Sequence, residues 1–238
     1  MNLICAGAAL GATSYPGRGI VAGKSADGKR AILAYFIMGR SENSRNRIFV
    51  KDGEALRTQA FDPSKMVDPS LIIYAPVRVV GQSTIVTNGD QTDTICAHLD
   101  AGGDFARALR TRTFEPDAPN FTPRVSAMAT LSGGDFRLEM ALVKASDAAG
   151  TRASRFFYEY DSVAPGVGYF LHTYRGDGNP IPAFEGEPEA VEMPDGSAQQ
   201  IARALWDSLN QDNRVSLWAR TIELKSGNVD SAIINSRA

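Results

Sequence analysis

Eight consecutive apolar residues, Ala31-Ile-Leu-Ala-Tyr-Phe-Ile-Met38, constrain this chain more than any other stretch. Side chains on a strand alternate between faces, so a strand with one wet face shows a polar residue at every second position. This run shows none, and it reads as a strand covered on both faces. A second apolar run, Gly19-Ile-Val-Ala-Gly-Lys24, precedes it, and the polar stretch between them carries Asp27-Gly28. That turn chemistry predicts a β-hairpin. A sheet that must be covered above and below rules out a single open layer and calls for stacked layers.

The remaining elements follow in order. Met1 to Ala12 is apolar and small without a basic start, a poor signal peptide, and reads as a first strand or buried edge segment. Gly39 to Arg47 is a polar loop, Ile48-Phe-Val50 opens a second hairpin turning at Asp52-Gly53, and Asp62 to Pro69 is a Pro-containing linker. Leu71 to Val80 reads as a strand in which Pro76 demands an edge or a bulge. Ser83 to Thr87 reads as another strand. Thr92–Leu99 and Asp104–Arg112 then read as two short helices broken at Gly102-Gly103. Strands return at 123–129, 136–143, 155–160 and 168–174. Gly176 to Gly196 reads as a long loop. Ser197 caps a predicted helix over 198–210, with Ile201, Leu205 and Leu209 on one face, and a hairpin closes the chain. Hairpins and helices are segregated, so the class is α+β, with a large antiparallel sheet or two stacked ones under few helices.

The totals narrow the function. A chain of 238 residues and net charge −2 suits one domain over 1–238 and lacks the cationic excess of bulk nucleic-acid binders. Two cysteines without a Cys-x-x-Cys suit a reducing cytoplasm, two histidines are too few for a histidine-rich metal site, and no apolar run is long enough to span a membrane. A homo-oligomer is compatible with all of this.

Two polar stretches stand out. Asn88-Gly-Asp-Gln-Thr-Asp93 lies between a strand and a helix, where free backbone N–H groups favour anions, although Asp90 or Asp93 can equally cap the helix. Gly39 to Arg47 carries three arginines and two asparagines in nine residues. Together with Tyr15-Pro-Gly-Arg-Gly-Ile-Val-Ala-Gly-Lys24 and Asn120-Phe-Thr-Pro-Arg124, these stretches, in this order, resemble the archaeal-type IMP cyclohydrolase family. The resemblance runs from about Tyr15 to Tyr174 and leaves residues 1–14 as an extension. It implies a four-layer αββα fold of stacked antiparallel sheets, like that of N-terminal-nucleophile hydrolases. It also implies ring closure of 5-formamidoimidazole-4-carboxamide ribotide to IMP and water, without a metal or other cofactor.

That chemistry asks for a held pose, a base for an amide proton, donors for a developing oxyanion, and cations for a 5′-phosphate. Under the resemblance, Tyr74 donates to the oxyanion, Glu115 is the general base and Arg40 joins the catalytic set. Substrate contacts fall to Arg18, Asn46, Arg47, Asn88, Asp90, Gln91, Asp93 and Arg124. Read without the resemblance, each has a plainer role. Tyr74 is a core aromatic, and Glu115 a surface carboxylate on Arg112. Asn46 caps a turn, the arginine loop is a solvated surface, Arg18 is structural, and Arg124 pairs with Glu115. His98 is packed or exposed. Cys5 suggests a rival, an amide hydrolase with an N-terminal nucleophile, but four residues precede it. A non-catalytic purine-nucleotide-binding protein is the third reading.

Overall fold

The computed structural model describes residues 3–237. A two-residue strand β1 (Ile4–Cys5) leads into helix α1 (Ala6–Gly11), then strands β2 (Arg18–Lys24) and β3 (Arg30–Met38). A one-turn helix α2 (Glu42–Arg45) precedes β4 (Arg47–Asp52) and β5 (Ala55–Ala60). Strands β6 (Val77–Val80) and β7 (Ser83–Thr87) lead to helices α3 (Gln91–Asp100) and α4 (Phe105–Arg110). Strands β8 (Arg124–Ser132), β9 (Asp135–Ala145), β10 (Ala153–Tyr160), β11 (Val167–His172) and β12 (Glu189–Glu192) follow. Helix α5 (Ala198–Ser208) and the hairpin β13 (Arg214–Glu223) and β14 (Val229–Asn235) end the chain.

The strands form two seven-stranded sheets, ordered β1-β12-β11-β2-β3-β13-β14 and β10-β9-β8-β7-β6-β5-β4. All pairings are antiparallel except β1 with β12, a two-residue parallel contact at an edge. The apolar strand β3 lies inside the first sheet between β2 and β13. Its Leu33, Tyr35 and Ile37 pack between the sheets with Val86 and Leu138 of the second sheet. Its Ile32, Phe36 and Met38 pack outward with Leu10 of α1 and Ile201, Leu205 and Trp206 of α5. Two buried faces explain the unbroken apolar run. On the second sheet, Ile95 of α3 and Phe105 and Leu109 of α4 cover Ile85, Met128 and Ala141. The layers therefore run helices, sheet, sheet, helices, and the protein is a mixed α+β two-sheet sandwich.

The hairpin turn closes as its chemistry requires, with Gly28 at φ 71°. Helix α5 opens on a capping box between Ser197 and Gln200. Three expectations need correction. The Ala6–Gly11 segment is a helix with Ala6, Ala9 and Leu10 buried, not a continuing strand, while Met1 and Asn2 lie outside the described residues. An apolar, small-residue run shows no period by which helix and strand can be told apart. The strand expected from Leu71 begins only at Val77. Before it, the N–H groups of Ile72 and Ile73 turn back onto the Pro69 carbonyl, and Thr58 ties both backbone groups of Tyr74. The long loop after Gly176 holds β12, which joins β11 to β1.

Candidate functional site

At one end of the sandwich, β2, β4 and β8 begin and β3 and β11 finish. Polar residues there line a cavity of about 250 Å³, among them Arg18, Arg40, Arg47, Asp117, Thr122 and Tyr174. Arg18 is the first residue of β2 and Arg47 the first of β4, so the two sheets each supply one cation. The capping box of Ser41 and Ser44 sets the one-turn helix that delivers Arg47. The Ser44 carbonyl accepts from Arg47 Nε at 2.8 Å, and Arg47 is 2% exposed.

Glu115 is 1% exposed and meets Arg18 through Oε2 to Nη2 at 3.3 Å. Burial pushes its carboxyl above the ordinary range, and the nearby guanidinium groups of Arg18 and Arg124 pull it only part of the way back. Burial also holds the Arg47 guanidinium below its usual value; Tyr74 opposes this and Arg18 adds to it. Each cation keeps one buried nitrogen without a hydrogen-bond partner, Nε of Arg18 and Nη1 of Arg47. Buried polar groups are nearly always paired, so these two nitrogens, on residues that line one cavity, leave donor capacity open to water or a ligand. Beside them the hydroxyls of Tyr35 and Tyr74 share a buried hydrogen bond of 2.7 Å. Burial raises Tyr35, and its neighbour Tyr74 adds to the shift, so it is a neutral phenol near pH 7.

A second polar group adjoins the first through Gly89. A Cβ there would lie 2.7 Å from Arg124 Nη1 and from Gln91 Oε1, and 3.5 Å from Glu115 Oε1. Only a glycine lets the backbone come this close. Arg124 Nη1 donates to Asp90 Oδ1 and to Gln91 Oε1, both at 2.7 Å, and Arg112 Nη2 donates to Asp90 Oδ2 at 2.5 Å. Asp90 therefore holds two arginines and makes no side-chain cap on α3. Glu115 is not on Arg112, and Arg124 reaches Asp90 and Gln91 rather than forming an ion pair with Glu115. Asn88 accepts from Val125 N and Gln91 Nε2 and donates to the Pro123 carbonyl, so it ties β7 to β8. Asn46 exchanges two hydrogen bonds of 2.8 Å with the backbone of Asp62. Asp93 points away from this group onto Arg78, with its side chain 62% exposed.

Several residues with no role assigned from the sequence shape the cavity. Thr122 Oγ1 links the Asp117 carboxylate to the Tyr174 hydroxyl, the latter at 2.5 Å. Tyr174 stacks on Tyr15 with ring centroids 5.9 Å apart. Arg40 lies over the Tyr15 ring at 5.1 Å and pairs with Asp177 at the rim. Tyr15, Thr122 and Tyr174 all fall inside or at the end of the matching stretches, and Tyr35 is the one hydroxyl in an apolar strand. Those were the available signals. Cys5 is exposed at the outer edge, where its thiol accepts from Ala8 N, and it does not line the cavity. His98 meets the Thr94 carbonyl within its own helix. Among the described residues no three His, Cys, Asp or Glu side chains gather as metal ligands do, and no helix is long and apolar enough to cross a membrane.

Two under-paired cations, Arg18 and Arg47, thus line one cavity, with buried Glu115 against Arg18 and the Tyr35–Tyr74 pair nearby, an arrangement that favours an anionic group. The chain is 38% identical over 116 residues to an IMP cyclohydrolase of Methanopyrus kandleri, 47% of this chain and 57% of that protein. It is 29% identical over 118 residues to an IMP cyclohydrolase of Methanococcus aeolicus, 48% of this chain and 57% of that protein. These matches span little more than half the length of those relatives. The profile of the IMP cyclohydrolase-like proteins is broader and matches residues 15–227, past the Tyr174 boundary expected from the motifs. With most of its length matched, the chain belongs to the IMP cyclohydrolase-like protein family.

Proposed function

We propose that this protein closes 5-formamidoimidazole-4-carboxamide ribotide to IMP and water, the last step of de novo purine biosynthesis. The observation that carries the reading is the pair of cavity-lining guanidinium groups, Arg18 and Arg47, each with a buried unpartnered nitrogen beside buried Glu115. In the reaction, the carboxamide nitrogen attacks the formyl carbon and a C–N bond forms. One proton leaves the carboxamide nitrogen and one the formamido nitrogen, and the formyl oxygen departs as water. Glu115, held above its ordinary carboxyl range by burial, accepts the amide proton. Tyr74, oriented by Tyr35, donates to the formyl oxygen as charge develops. Arg18 and Arg47 donate to the anionic oxygens of the substrate through the nitrogens that lack a partner in the free protein. Arg40 closes the rim over Tyr15, and Arg124, Asp90 and Gln91 present the polar edge that meets the ribotide beyond Gly89. Asn46, Asn88 and Asp93 fit less directly: the first two bind backbone and the third faces away.

The layer order supports an N-terminal-nucleophile-hydrolase-like fold formed by one domain over 1–238, working without a cofactor in the cytoplasm. The test is direct. Purified protein is mixed with the formamido ribotide and the purine absorbance followed. Turnover is expected; a folded protein that binds IMP without turning the ribotide over would instead identify a nucleotide-binding relative.

A further inference from the structure

The opposite end of the sandwich holds a second recess, of about 280 Å³, where the β4–β5, β6–β7 and β13–β14 turns come together. Arg220 of β13 lines it and is 3% exposed. Its strand neighbours Trp218 and Ile222 pack between the sheets, and Arg220 shares their face. The guanidinium carbon lies over the Trp218 ring, 5.2 Å from its centre. Nη2 donates to the Glu54 carbonyl, and Nε is buried with no partner. Among the described residues no carboxylate forms an ion pair with it; the Glu54 side chain is exposed. Burial holds this guanidinium below its ordinary value, with Glu54 opposing.

A guanidinium buried without a counter-ion costs several kcal/mol, and arginine cannot lose its charge to escape that cost. The planar fork matches two oxygens of a phosphate or carboxylate. Gln82 and Thr84 line the same recess and offer neutral donors, while Val79 and Leu131 supply an apolar wall. We propose that this recess is a second ligand site, which takes the oxyanion group of a small phosphate or carboxylate compound on Arg220. It stands apart from the cavity of Arg18 and Arg47 and does not depend on the reaction proposed there.

Trp218 provides the readout, because the chain has two tryptophans and Trp206→Phe leaves only the one beside Arg220. In that background, inorganic phosphate and, separately, acetate are titrated against matched chloride. A saturable change in Trp218 emission is expected with at least one; the anion that binds more tightly assigns the phosphate or the carboxylate class. Arg220→Gln should weaken it about tenfold or more. Gln82→Glu, an exposed position that brings negative charge to the recess, should weaken it as well and decides the matter if Arg220→Gln does not fold. Arg47→Gln should leave it unchanged. No saturable change with either anion, a response that survives both recess substitutions, or one abolished by Arg47→Gln overturns the assignment.

Discussion

At the scale of single residues, the proposed chemistry rests on Glu115 and Tyr74. Glu115→Gln keeps the side-chain shape and removes the base, so ring closure should fall about 10²–10⁴-fold with KM little changed, as steady-state kinetics would show. A base must be ionised, and burial places this carboxyl above its ordinary range, so kcat/KM should climb as pH rises through that raised value. The stability consequence runs the other way. The folded chain holds the Glu115 proton more tightly than the unfolded chain does. Its favourable contribution is thus complete below the ordinary Glu range and lost as pH rises through the raised value. Denaturant midpoints should drop across that window in the wild type and drop less in Glu115→Gln. Tyr74→Phe leaves the Tyr35 hydroxyl buried without its 2.7 Å partner, at a cost of about 1–3 kcal/mol by equilibrium unfolding. If Tyr74 donates to the oxyanion, its loss should also slow turnover about 10²–10³-fold, whereas Tyr35→Phe should cost similar stability and less rate.

Among the elements, local chemistry was readable wherever it was self-contained. The hairpin of β2 and β3 announced itself by its Asp27-Gly28 turn and apolar flanks. Helix α5 announced itself by Ser197 and the spacing of Ile201 and Leu205. Ser197→Ala breaks the capping box and should destabilise the protein by about 1 kcal/mol, seen as a lower denaturant midpoint without a change of slope. Other elements carried no local mark. Nothing in Leu71 to Pro76 reveals that Thr58 holds Tyr74 in place from another segment. Gly23 similarly looks like any strand glycine, yet it faces Gly168 across the sheet, and a Cβ there would lie 2.4 Å from the Val167 carbonyl oxygen. Gly23→Ala should therefore cost about 1–3 kcal/mol by forcing β2 and β11 apart, measurable by the same unfolding experiment.

For the molecule as a whole, the proposed binding of IMP to the unfilled donors of Arg18 and Arg47 predicts that stability depends on the ligand. IMP at about one hundred times its Kd should add about 2.7 kcal/mol to the fold. In a chain of this size that raises Tm by about 2–4 °C for each kcal/mol, and Arg47→Gln should largely abolish the shift in a thermal melt.

Taken alone, the sequence determined that a strand buried on both faces needs layers above and below it, where the main hairpin turns, and that Ser197 caps helix α5. These follow from side-chain period and turn chemistry, which act over a few residues. Pairing across the layers was decided by tertiary structure. Arg18 and Glu115 are separated by 97 positions and meet only because one sheet stacks on the other. The same stacking joins Tyr35 to Tyr74 and, among the described residues, leaves Arg220 without an ion-paired carboxylate, while the packing of α4 on α3 gives Asp90 rather than Glu115 to Arg112. Which polar groups find partners depends on where distant backbones come to rest, and no local pattern encodes that.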